Sequence, residues 1–225
     1  MAWTTPATAV TGDVITASFW NSNGRDNLQY LYDEKITSPS TVQGDVLYHS
    51  SSGWVGLAAG TSGTFLQSNG ASANPAWASV SVVGARVYSS SAVLAPNNVG
   101  TAIPFGAERF DTNDFHSTSS NTTRLTVPAG LGGYYSVGGN VEYATNGAGR
   151  RFLGLFLNSS SYIGATQQSA ASASVQTSVA VHTNYQLTAG DYVELLVLQD
   201  SGTDLNIGAS VRYSPEFYMV RIGTT

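Results

Sequence analysis

The chain has 225 residues, enough to bury a sizeable core as one large domain or two small ones. Only 10% of them are charged while 42% are hydrophobic, and the net charge of −5 with nine scattered basic residues argues against a nucleic-acid binder, which needs a basic stripe. The absence of cysteine excludes disulfides, thiolate metal sites and a cysteine nucleophile.

In chain order, MAWTTPATAVTGDV opens without a basic flank or an apolar run, so no secretory signal is expected. No stretch approaches the roughly 20 apolar residues of a bilayer-spanning helix, and no membrane insertion is expected. All four tryptophans (Trp3, Trp20, Trp54 and Trp77) fall before residue 80. That shift in composition puts a boundary near NPAWASVSVV and divides the chain into segments 1–40, 41–82 and 83–225.

The first segment reads as an extended arm entering one short helix over about 25–35, stopped by Pro39. Thr16 or Ser18 can cap the start, since their hydroxyl oxygens accept first-turn N–H groups. Phe19, Trp20, Leu28 and Leu31 form a partial apolar face among Asn27, Tyr30 and Lys35, while Asn23-Gly24 weakens the middle. So short a helix needs another surface in order to form. Together with Trp3, Val14 and Ile15, those four apolar side chains are the expected attachment residues.

The second segment holds four short β pieces: DVLYHS, GWVGLA, TFLQSN and PAWAS. Large apolar residues recur among Ser, Gly, Ala and Asn, with Asp45 the one charge between residues 44 and 79. Pieces of four to six residues on a lone chain cannot cover their own aromatic side chains.

The third segment is strongly β. RLTVPAG, GYYSVGGNVEYAT, RRFLGLFLNSS, SVAVHTNYQL, DYVELLVLQD and EFYMVRIG are strand-length runs between Gly, Asn, Ser and Pro turns. Tyr135, Val137, Gly139, Val141 and Tyr143 alternate with Ser136, Gly138, Asn140 and Glu142, and Val175, Thr177, Val179 and Val181 also alternate. FLGLFL and VELLVL are apolar on both faces, which predicts a core on one side and a subunit contact on the other. The expected architecture is an all-β sandwich or barrel.

Four pieces in order across this segment carry a resemblance: FGAERFDTNDFHS with TRLTVPAGLGGYYSVGGNVEY, RFLGLFLNSSSYIGAT, YQLTAGDYVELLVLQD and SPEFYMVRIG. They resemble the C1q/tumour-necrosis-factor-like jelly roll, which implies a β-sandwich head that assembles as a homotrimer. The collagen-like stem, secretion signal and cysteines usual in animal members do not occur in these 225 residues. TGDVITASFWNSNGRDNLQYL resembles an N-terminal signature of bacteriophage tail and other virion appendage proteins. GDVLYHSSSGWVGLAAGTSGTFLQSNGASANPAWAS is similar to a phage fibre repeat, with its GD-[IVL]-L-Y start, spaced glycines and terminal P-x-W. This implies a neck in which three chains wrap one axis and bury Val46, Tyr48, Trp54, Leu57, Phe65, Leu66 and Trp77.

Candidate chemistry is sparse. The histidines are His49, His116 and His182, and no G-x-S-x-G elbow is present. Glu108 and the pairs Asp111/Asp114 and Asp200/Asp204 lie in Ser-, Thr- and Asn-rich sequence, where Asx turns are the expected role. Asp200, Asp204 and Asn206 could supply oxygen ligands to Ca²⁺, although their spacing matches no known loop motif. The flexible loops TNGAGRR, QQSAASASVQ and DSGTDLNIGAS are the expected recognition sites. Arg150 and Arg151 would meet an anionic glycan with Tyr162 as stacking platform, beside Asp200 and Asp204.

The expected protein is therefore a non-enzymatic, cofactor-free virion component, assembled in the bacterial cytoplasm. Its expected partners are two further copies of itself, other virion proteins at its N-terminus, and a host cell-surface glycan or protein. A tail-fibre or tail-tip receptor-binding role comes first, a capsid head fibre or decoration protein is the alternative, and a glycan-cleaving tail enzyme stands third.

Overall fold

The computed structural model of the chain describes residues 14, 16–30, 42–209 and 215–224. It divides into two compact units, Met1–Ser81 and Val82–Thr225.

In the first unit a helical segment runs through α1 (Ala17–Trp20), a π turn (Asn21–Arg25) and α2 (Asp26–Tyr30). Thr16 caps it, its Oγ1 accepting the Phe19 N–H at 3.1 Å. The helix thus starts ahead of the expected residue 25. Asn23-Gly24 does not interrupt it, because the wider π turn accommodates that pair and Gly24 packs beside the Trp20 ring. Residues 31–35 of the expected helix lie outside the described residues.

Each of the four short β pieces is a strand: β1 (Val46–Ser50), β2 (Gly53–Leu57), β3 (Thr64–Gln67) and β4 (Ala76–Ser79). They form two separate antiparallel pairs, β1 with β2 and β3 with β4. Asp45 accepts the Ala59 N–H at 2.9 Å, and the Trp77 indole N–H donates to the Ala58 carbonyl at 2.6 Å. A Cβ at Gly60 would come within 2.6 Å of the Trp77 ring, so glycine is what lets the indole reach the link between the two hairpins.

The second unit contributes β5 (Gly84–Tyr88), β6 (Val93–Ala95), β7 (Thr101–Ala102), β8 (Ala107–Asp111), β9 (Arg124–Thr126) and β10 (Gly133–Tyr143). It continues with β11 (Arg150–Leu157), β12 (Ser161–Ser169), β13 (Thr177–Leu187), β14 (Tyr192–Gln199), β15 (Leu205–Ile207) and β16 (Glu216–Gly223). One sheet has the order β6-β15-β10-β16-β5-β8, with β13 also pairing β10. The other has the order β12-β11-β14-β7, with β9 also on β14. From β8 to β11 and again from β12 to β15 successive strands alternate between the sheets, so the two sheets face each other across one core. All the ladders between these strands are antiparallel. This is the jelly-roll form of the all-β sandwich.

Between the sheets lies an apolar core that includes Val87, Phe105, Phe115, Leu125, Leu153, Leu155, Leu195 and Phe217. The alternation expected in β10 is realised, with Tyr135, Val137, Gly139, Val141 and Tyr143 all buried. In β13 it begins at Thr177; Val175 precedes the strand and is exposed. Tyr143 donates its hydroxyl to the carbonyls of Phe152 at 2.5 Å and Leu198 at 3.2 Å. Burial pushes its phenol well above the usual range, against smaller opposing effects of those carbonyls and Arg151.

The turn ahead of β14 is locked by Asp191. Its carboxylate accepts from Thr188 N at 2.7 Å, Thr188 Oγ1 at 2.8 Å and Asn158 Nδ2 at 2.8 Å. Partial burial pushes this carboxyl up, but the bonds from Asn158 and Thr188 together hold it below its ordinary value. A depressed folded-state pKa stabilises above the unfolded value and is lost as pH falls through the folded one. Asp191→Ala is therefore expected to lower stability by about 2 kcal/mol at neutral pH. In thermal unfolding measured across pH, the gap from wild type should close below about pH 4.

Candidate interaction surfaces

The neck residues named above do not share one face. The register pairs His49 with Trp54 and Leu47 with Gly56, so Leu47, His49 and Trp54 line one side of the first hairpin. Val46, Tyr48, Val55 and Leu57 line the other. In the second hairpin Leu66 opposes Trp77 while Phe65 opposes Ala78 on the reverse side. Trp54 is 60% exposed, Leu47 48%, Phe65 46% and Leu66 45%. Trp77 is half-buried within its own chain through its bond to Ala58, so part of its burial needs no neighbour. Leu47 and Val55 escaped notice in the sequence, because two-faced exposure appears only once the strand register is known.

Of the expected attachment residues, Val14, Trp20 and Leu28 are exposed and Phe19 is half-buried. Trp3, Ile15 and Leu31 lie outside the described residues.

The recognition residues divide sharply. Arg151 is not at the surface: it is fully buried, and its guanidinium donates to the carbonyls of Asn146 and Ala148 at 2.9 Å and Arg150 at 3.1 Å. Alternation along β11 turns neighbouring side chains to opposite faces, so Arg150 points out where Arg151 points in. Arg150 is exposed and pairs with Asp200, Nε to Oδ2 at 3.1 Å. Asp204 accepts the Asn97 N–H at 3.0 Å, so the two aspartates serve different loops. Among the described residues no three His, Asp or Glu side chains are grouped to hold a metal. Tyr162 sits in strand β12 rather than in a loop.

Outward on the five-stranded sheet, Phe152 lies opposite Gln167 and Leu198, Gly154 opposite Ala165 and Leu196, and Phe156 opposite Tyr162 and Glu194. The Tyr162 ring meets Phe152 edge-on at 5.3 Å and Phe156 at 4.9 Å. A Cβ on Gly154 would come within 2.6 Å of Tyr162 and 2.9 Å of Phe152, so the missing side chain is the space the tyrosine occupies. Arg150 donates to Gln167 Oε1 at 3.3 Å beside this trio. FLGLFL showed two apolar faces in sequence, but nothing in it showed that Tyr162 would cross over between the phenylalanines.

On the other sheet, β13 presents Ser178, Ala180, His182, Asn184 and Gln186 outward, all exposed. Nearby, Glu216 is held by both Arg86 and Arg109, the latter at 3.1 Å, and Arg109 stacks over Tyr88 at 4.1 Å. A shallow cavity of about 370 Å³ is lined by Arg86, Phe110, Asn140, Glu216, Tyr218 and Val220.

The histidines are dispersed. His49 packs against Trp54 with ring centroids 5.4 Å apart, and His182 lies on the exposed face of β13. The His116 side chain is fully buried, with Nδ1 3.0 Å from Glu108 and Nε2 3.3 Å from the Thr122 carbonyl, so neither nitrogen faces a hydroxyl nucleophile. Asp111 accepts backbone N–H bonds from Asn113, Phe115 and His116, the turn role expected of it.

No protein-family model matches the chain, and no curated protein matches it. Solved structures do. The globular domain of zebrafish complement 1qA protein aligns at 18% identity and a TM-score of 0.45, over 64% of this chain and 99% of that one. Murine APRIL aligns at 8% identity and 0.49, over 63% and 100%. Eiger TNF from S. frugiperda aligns at 15% and 0.47, over 64% and 94%. Each likeness concerns the fold, which the strand order already defines as a jelly roll.

Proposed function

We propose that the chain is a homotrimeric, non-enzymatic structural protein of a bacteriophage virion. In this reading residues 1–40 attach it to the particle, 41–82 form the neck and 83–225 form an outward head that binds the host surface. The observation that carries it is the neck: two hairpins, each of two strands, with apolar side chains on both faces and Trp54, Leu47, Phe65 and Leu66 left in water. An isolated two-stranded hairpin is marginal in water, and one with two apolar faces needs cover on both. Neighbouring copies around a common axis supply such cover, with closed symmetry leaving no face unmatched. The resemblance of this segment and the preceding arm to phage fibre sequence supplies the biological context.

The test is the native mass of the purified full chain, followed by gold-labelled antibody on virions. A mass three times 23.5 kDa with label on the tail supports the reading. A stable monomer overturns it. Label on the capsid shell moves the protein to the head-fibre or decoration alternative. Release of reducing sugar from host envelope would make it an enzyme instead.

A further inference from the structure

We infer that the outward face of the five-stranded sheet is a binding platform for a neutral oligosaccharide, with Tyr162, Phe152 and Phe156 as its floor and Arg150, Gln167 and Asp200 along one rim. This deepens the host-binding reading above by naming the site and the ligand chemistry, and rests on it only for the biological setting.

The outward faces of β13 and β11 differ in character. The outward residues of β13 are polar, as a hydrated face requires. Along β11 the outward residues Phe152, Gly154 and Phe156 are instead aromatic or glycine, with Tyr162, Ala165, Leu196 and Leu198 beside them and Gln167 and Glu194 as polar neighbours. The three rings are also arranged: Gly154 leaves the room in which Tyr162 lies between the phenylalanines, and Tyr162 still keeps 48% of its surface exposed. An aromatic face carries partial negative charge and attracts the polarised C–H groups that cover one side of a pyranose ring.

The rim decides the class of ligand. Arg150 is paired with Asp200 at 3.1 Å, and at the far end Glu194 lies opposite Arg124. Arg124 stacks over Tyr192 at 4.5 Å, so the platform holds two cations against two carboxylates and offers an anionic ligand no net positive charge. What the rim offers is paired donors and acceptors: the guanidinium, the Gln167 amide and two carboxylates. Sugar hydroxyls both donate and accept, so they match that set without net charge. The polar ends are also well apart, since six residues from Arg150 to Phe156 span about 20 Å along a strand. That length suits several sugar rings better than one.

The experiment applies the full-length protein to a printed array of neutral and acidic oligosaccharides of one to six rings, then titrates the best ligand by calorimetry. Binding to neutral members that strengthens with length from one to several rings is the expected result. Tyr162→Ala should weaken it about tenfold and Gln167→Ala about threefold, with melting temperatures close to wild type. Gln167 is exposed at the rim, so its variant tests the site even if the tyrosine variant unfolds. No neutral ligand on the array, preference for acidic ones, or affinity unchanged in both variants would overturn the assignment. The two readings fail separately. A trimeric virion protein without sugar binding loses only the platform, whereas a monomer that binds sugar through Tyr162 loses only the virion role.

Discussion

Replacing Arg151 with methionine is expected to destabilise the head by about 2–3 kcal/mol and lower its melting temperature by about 5–10 °C. The side chain is fully buried; its Nη1 and Nη2 donate to the Asn146, Ala148 and Arg150 carbonyls, while its Nε is buried without a partner. Methionine matches its bulk but cannot donate, so those carbonyls lose their bonds to the guanidinium. Burial pulls the guanidinium pKa down, while Tyr143 and Asp200 oppose the shift. The group remains charged in the core, held by carbonyl dipoles and by the Tyr143 ring 5.7 Å away. Lysine should not rescue the variant, because a single ammonium cannot reproduce the planar fork that reaches separate carbonyls. Circular dichroism melts of wild type, Arg151→Met and Arg151→Lys test this. A loss under about 2 °C in the methionine variant would mean that the loop needs no such anchor.

The second large effect is expected in the neck, where Trp54→Ser with Phe65→Ser should convert the proposed trimer to monomer. Both side chains are substantially exposed in the single chain, so the hairpins lose little of their own packing. What disappears is the area left for neighbours to bury. Six such side chains per trimer, each with about half its surface still to bury, contribute roughly 5–9 kcal/mol. That corresponds to about three to six orders of magnitude in the association constant. Sedimentation over a range of concentrations reads the change directly. A double variant that remains fully trimeric would place the contacts that hold the copies together in the head instead.

Most strands of the head were legible because a half-buried strand writes its period into the sequence. Tyr135 through Tyr143 alternate with polar and glycine residues, and that alternation is the inward and outward pleat of β10. The Gly190-Asp191 turn was legible for a similar local reason, since Gly190 takes a φ of 92° and Asp191 bonds within three residues. The helix start was misplaced because Asn23-Gly24 reads as a break, whereas a π turn can absorb it. Arg151 was misread as a surface cation because charge normally means exposure. Only its strand phase relative to Arg150, together with the carbonyls of the 146–150 loop folded over it, makes burial possible.

By itself, then, the sequence determined the all-β class, the lack of thiol chemistry and the surplus of apolar side chains in the neck. These depend on composition and on periods of a few residues. The tertiary structure alone decided which side chains share a face: Trp54 with His49 and away from Tyr48, Arg151 inside and Arg150 outside, and Tyr162 between two phenylalanines across a strand pair. Such groupings come from register and from the bulge between β11 and β12, which bring together residues distant along the chain and leave no periodic mark in it.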